Sequence, residues 1–213
     1  MRWRSFAAAF WITGLLIAGI VVTVPASGAE HPPFVPTRDV TITYRIEADG
    51  MPGGIGPQTV RVSYSTVAAR ARIERAEGPG YLIVDRAAGR ATMVMEPLQS
   101  YFEIPFNDRT GAGLLLDDRM GFTRGGTDRV AGLACTKWDI ASDKTTARLC
   151  ITEDGVVLAG EGHDTQRGAG RMTATAVNYA ALPASLFTPP AGFHRIELPA
   201  GAGPSAASRR PPG

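Results

Sequence analysis

Residues able to do chemistry are few here and scattered: the 213-residue chain carries three histidines and two cysteines. His31 sits in a proline-rich stretch, His163-Asp164 in a glycine-rich turn, and His194 after the last apolar cluster. A His-Asp pair can activate a serine when the three converge, but no serine stands in a Gly-x-Ser-x-Gly setting. Met93 and Met95 place two thioethers on one strand face, and Met120 and Met172 could join them as soft ligands for Cu(I). Methionines at alternating strand positions more often fill a core. Asp117-Asp118 suits a solvated element end, and Asp154-Gly155 is a tight-turn pair. Gly125-Gly126 and Gly168-Ala169-Gly170 are not followed by the Lys and Ser/Thr of a phosphate loop. The expectation is a protein that is not an enzyme and has no catalytic residue, metal or cofactor.

The cysteines have more to say. Cys135 and Cys150 are the only two, and a single pairing is open to them. Ala134–Ile140 and Thr146–Thr152 read as two strands, with Ser142-Asp143 as the turn. That register sets Cys135 directly across from Cys150, close enough for a disulfide. It also sets Lys137 across from Arg148, a like-charge pair. A redox pair or a metal site would want Cys-x-x-Cys spacing or a nearby histidine, and neither is present.

A disulfide needs an oxidising compartment, and the N-terminus provides the route to one. Arg2 and Arg4 precede an uncharged run from Ser5 to Ala29, apolar from Phe6 to Val24, that ends in Pro25-Ala26-Ser27-Gly28-Ala29. This is the layout of a secretory signal, residues 1–29, cleaved after Ala29, and the body is expected in the periplasm or secreted. The apolar run is also near the length of a membrane span. Membrane contact is therefore expected only through this segment, if it stays uncleaved. Lys and Arg number 22 against 20 Asp and Glu. Removing Arg2 and Arg4 leaves 20 against 20, so the body has no basic excess for nucleic acid.

Residues 30–38 read as an extended lead-in, 39–198 as one β domain, and 199–213 as a disordered tail of Gly, Ala, Ser, Pro and two arginines. Within the domain, Val40, Ile42, Tyr44 and Ile46 alternate with polar residues, as do Val60, Val62 and Tyr64. Turn signals recur every 8 to about 12 residues up to Tyr179. The pattern predicts an all-β fold with minor α, a curved antiparallel sheet of about nine to eleven strands. One or two short covering helices are expected, with helical signal around 113–120 and 180–187, and the segments 105–126 and 182–193 are the candidate covers. Ile42, Tyr44, Val60, Val62, Tyr64, Trp138, Ile140, Leu149 and Ile151 fall on the dry faces. They are the candidate lining of an apolar site, with an ordinary packed core as the alternative.

Two stretches carry a family resemblance. One is Leu82-Ile83-Val84-Asp85-Arg86 through Met93-Val94-Met95, followed by Tyr101. The other is Val130-Ala131-Gly132-Leu133-Ala134-Cys135 with Trp138, answered by Cys150-Ile151-Thr152-Glu153-Asp154-Gly155. Together they resemble DUF4412, a group of small exported bacterial proteins of unknown function, itself similar to the LolA/LolB lipoprotein-carrier half-barrels. The resemblance implies a half-barrel whose apolar concave face is covered, and a possible lipid or other apolar ligand. It brings no active-site residues. The expected function is a non-enzymatic periplasmic binder of an apolar molecule. The alternative is an envelope protein-interaction module with a filled core and no ligand, and a hydrolase is the weak third reading.

Overall fold

The computed structural model describes residues 31–49, 57–106, 116–165 and 168–197. Twelve strands form a single open sheet: β1 (Val40–Asp49), β2 (Gln58–Ser65), β3 (Arg70–Arg75), β4 (Gly80–Asp85), β5 (Arg90–Met95), β6 (Ser100–Pro105), β7 (Gly121–Val130), β8 (Leu133–Ala141), β9 (Thr145–Ile151), β10 (Val157–Asp164), β11 (Gly168–Asn178) and β12 (His194–Arg195). Their spatial order is β12-β6-β5-β4-β3-β2-β1-β11-β10-β9-β8-β7. Every pairing is antiparallel except β12 with β6. The sheet is thus two meanders joined where β1 meets β11.

The architecture is the expected half-barrel with more strands than alternation revealed. β7, Gly-Phe-Thr-Arg-Gly-Gly-Thr-Asp-Arg-Val, shows no dry face because it is an edge strand, with eight of its ten residues exposed. β12 is only two residues long. Among the described residues there is no α-helix, which corrects the expected helices, although residues of both expected covering segments do pack on the sheet. Ala184–Phe187 closes as a short 3-10 helix, because Pro183 precedes it and Pro189-Pro190 follow within a turn. Residues 116–120 are irregular, and 107–115 lie outside the described residues. The signal segment 1–29 and the tail 199–213 also lie outside them.

The cysteine hairpin is corrected as well. Asp139 faces Arg148 and Lys137 faces Cys150. The turn is centred one residue later than expected, with Ser142 N–H donating to Thr145 at 2.9 Å. The charges explain the shift: it replaces Lys137 against Arg148 by an Asp139–Arg148 ion pair at 2.7 Å, and Lys137 instead meets Asp128 at 2.9 Å. Cys135 and Cys150 are bonded, their Cα atoms 5.3 Å apart, diagonally rather than directly across.

Two covers close the sheet. The segment after β11 runs back over β3–β6, where Leu182, Leu186, Phe187 and Phe193 pack on Tyr81, Ile83 and Val94. On the other face Phe34 of the lead-in, Leu116 and Met120 pack against Trp138, Ile140 and Ile151. Gly155 makes room for the lead-in: it holds φ +85°, and a Cβ there would lie 2.5 Å from the Val35 carbonyl.

Two aspartates tie these covers down. Asp39 accepts the Thr66 N–H at 2.8 Å and the Leu182 N–H at 2.9 Å, so one carboxylate holds the β2–β3 turn and the start of the C-terminal strap. Those bonds, Leu182 first, hold its pKa below the ordinary 3.8. At Asp154 burial pushes upward, but donation from Thr152, Arg38 and Tyr179 prevails and the pKa is lowered. Arg38, at 2.7 Å from Asp154, also lies over the Tyr179 ring. A depressed carboxylate contributes stability that is complete above the unfolded-state pKa of 3.8 and lost as pH falls toward the folded-state value. Urea midpoints should therefore drop between about pH 5 and pH 2, and an Asp39→Asn variant should drop less steeply. Equal slopes for the two proteins would remove Asp39 from the linkage.

Candidate functional site

Cross-strand register puts two different surfaces on the sheet. On one face Ile42, Val62, Ile73, Leu82, Met93 and Phe102 stand opposite one another in turn across six strands. A second row follows beside it: Val40, Tyr64, Ala71, Val84, Ala91 and Ile104. The first row is buried at Ile42, but Val62, Ile73, Leu82, Met93 and Phe102 all stay partly exposed. Strands β2 to β6 therefore carry a continuous apolar strip that their own side chains do not seal.

The nine dry-face residues picked from the sequence all lie on this same face, traced through Ile46, Met172, Gly160, Leu149 and Trp138 into the second meander. Six are buried: Ile42, Tyr44 and Val60 in the region around β1, and Trp138, Ile140 and Ile151 under Phe34 and Leu116. Tyr44 is further fixed by its hydroxyl, which donates to the Val157 carbonyl at 2.6 Å, and burial pushes its phenol pKa far up. Val62, Tyr64 and Leu149 are half-buried. Ile73, Leu82, Met93, Phe102 and Ile104 were missed. Their alternation was legible, but only register shows that these residues align into one strip.

The opposite face of β1 and β7–β11 is a charged hollow of about 840 Å³. Glu47, Arg171, Glu161, Arg148 and Asp139 stand opposite one another in sequence across it, acid and base alternating, and the row ends at Thr123 on β7. Of the nine residues, only Ile140 borders this hollow. The ladder neutralises itself: Arg148 bonds Asp139 at 2.7 Å and Arg171 lies 3.6 Å from Glu161. Donation from Arg148 lowers the Asp139 pKa, and donation from Lys137 lowers that of Asp128. A general acid would require the reverse, a carboxyl held protonated near neutral pH.

His163 borders the hollow, His31 stacks on Phe34 at 4.5 Å, and His194 lies on β12. They sit on separate elements. No cluster of three His, Cys, Asp or Glu that could hold a metal occurs among the described residues. Met93 lies in the apolar strip, while Met120 and Met172 pack in two other clusters.

Several solved structures are similar in fold. An uncharacterised conserved protein from Thermus thermophilus superposes with a TM-score of 0.51 at 12% identity, over 75% of this chain and 90% of that one. MucB of Pseudomonas aeruginosa, solved in complex with MucA, gives 0.48 at 15% identity over 72% of this chain and 56% of that one. A LolA superfamily protein from Nitrosomonas europaea gives 0.39 at 8% identity over 75% and 92%. The chain thus spans little more than half of the MucB chain. No curated protein matches the sequence. The family profile described as "Domain of unknown function (DUF4412)" matches residues 60–160, from β2 into β10. Over those residues, the cysteine hairpin included, the chain is similar to that family.

Proposed function

We propose that the protein is a non-enzymatic component of the cell envelope that binds an apolar ligand, an acyl chain or a molecule like it, along the strip on β2–β6. The observation that carries this reading is the row Val62, Ile73, Leu82, Met93 and Phe102, five apolar side chains in register that remain partly exposed. Extended strands set neighbours about 4.8 Å apart, so the row is about 19 Å long, the reach of a long acyl chain. Each methylene that leaves water contributes roughly 0.8 kcal/mol, and polar groups are not needed along the strip to hold the chain. The disulfide supports an oxidising compartment outside the cytosol, and the N-terminal segment supports export.

The test is native mass spectrometry of protein purified gently from its own envelope, followed by titration with palmitate and with phosphatidylglycerol. A stoichiometric adduct, or saturable uptake that Leu82→Asp and Met93→Asp each abolish, is the expected result. Both positions are partly exposed, so the variants should stay folded, as circular dichroism would confirm. An apo mass with no uptake of either lipid by the folded wild type would overturn the reading.

A further inference from the structure

A sheet edge is a row of unpaired peptide groups, and natural proteins usually shorten or cover it. This sheet treats its two edges differently. One ends in β12, two residues long. The other ends in β7, ten residues long and largely exposed.

Only part of β7 is open to pairing. Ala131 and Gly132 both hold positive φ, as a two-residue hairpin turn requires. Such a turn closes on a hydrogen-bonded pair, here Val130 with Leu133. Counting back through the alternation, and through the bulge at Gly125-Gly126, Asp128, Thr123 and Gly121 bond to β8. Phe122, Arg124, Thr127 and Arg129 turn their peptide groups outward. The outward N–H of Arg129 is already taken by the Asp128 side chain at 2.8 Å. The bulge breaks the edge beside Thr127. What remains is a flat window, Phe122–Arg124, whose outward N–H and C=O groups belong to its two end residues.

The side chains of the window are matched to a partner. Phe122 belongs to an aromatic group, 5.7 Å from Phe34 and 6.5 Å, edge-on, from Trp138. Arg124 lies 5.8 Å over the Trp138 ring, and no carboxylate partner for it occurs among the described residues. Both residues sit on the sheet's apolar face. A strand added here would place two of its side chains, at alternate positions, beside them.

We infer that β7 takes up an extended polypeptide segment of a partner protein as a thirteenth strand, with an apolar side chain beside Phe122 and a carboxylate beside Arg124. The backbone window supplies the attachment, and the Arg124 guanidinium supplies the selectivity. This inference does not depend on ligand binding at the β2–β6 strip, which lies in the other meander.

A blocked heptapeptide, Thr-Val-Thr-Asp-Thr-Val-Thr, serves as the probe, with amide hydrogen exchange followed by NMR on the full chain. In free protein the Phe122 and Arg124 amides should exchange freely, and saturating peptide should protect both. Arg124→Pro removes one outward N–H and the charge without touching the bonds to β8, and should weaken binding tenfold or more. Arg124→Glu should lose the aspartate peptide and bind its lysine counterpart instead. The inference is overturned if neither amide gains protection at millimolar peptide. It is also overturned if both are protected without peptide. Dependence on protein concentration would then identify a second copy on the edge, and independence a segment of the same chain.

Discussion

Replacing Cys135 and Cys150 together by alanine is expected to lower the free energy of unfolding by about 3 kcal/mol. The bond closes a loop of separation 15, and in the chain-entropy account a loop of that length restricts the unfolded state by roughly this amount. Alanine is the better replacement, because both side chains are buried and a serine hydroxyl there would lack a partner. The hairpin is where such a staple matters. Among the described residues β7 is the last strand of the sheet, and Asp128–Lys137 and Asp139–Arg148 are solvent-exposed ion pairs. Exposed pairs hold little by themselves. Urea unfolding of wild type, of reduced wild type and of the double variant checks the claim. The last two should agree, both well below the first. A loss under about 1 kcal/mol would mean that the hairpin persists in the unfolded chain or that the bond is offset by strain.

Phe187→Ala should be costlier still, about 3 to 5 kcal/mol. Phe187 is 1% exposed and is the anchor of the strap that seals Tyr81, Ile83 and Val94. The strap's backbone is held in parallel, since Arg70 and Arg72 donate to the carbonyls of Phe187 and Leu186 at 3.3 and 3.5 Å. Those bonds are long, and the firmer ones, Leu182 to Asp39 and β12 to β6, hold only the two ends of the strap, so its middle depends on the ring. Arg72 also stacks 3.4 Å over Tyr81, whose phenol burial pushes up in pKa. Loss of the ring should therefore show as a lower urea midpoint together with new protease cleavage between β11 and β12. If the midpoint is unchanged while cleavage appears, the strap is an appendage and the sheet folds without it. A Phe187→Leu variant, which retains most of the apolar volume, should recover the larger part of the loss.

The comparison of sequence and fold turns on which residues are buried on one side. Where a strand has one dry face, its period of two is written in the chain: Val40, Ile42 and Tyr44 on β1, or Val60 and Val62 on β2, announce themselves. β7 has no dry face, so its ten residues read as loop, and Leu114-Leu115-Leu116 before it suggest a helix. The start of β11, Gly168-Ala169-Gly170, lacks side chains to alternate. The cysteine hairpin was legible as a hairpin and as a disulfide, but its register was not. A slip of two residues keeps every side chain on its face, so only the cross-strand charges could decide, and they chose Asp139 against Arg148.

By itself, then, the sequence determined an all-β sheet with a bonded cysteine pair, the absence of a recognisable catalytic motif, and the face on which the apolar residues lie. Each of these is local, set by alternation along a strand or by the count of a residue type. Tertiary structure alone decided which of those apolar residues are sealed and which stay open. It buried Trp138, Ile140 and Ile151 under Phe34 and Leu116, and left Val62, Ile73, Leu82, Met93 and Phe102 in an unsealed row. It also aligned Glu47, Arg171, Glu161, Arg148 and Asp139 from five strands into one ladder, and left Phe122–Arg124 at the sheet's end. The reason is the same in each case: exposure depends on what a residue meets across strands and across the sheet, and those neighbours are distant in the chain.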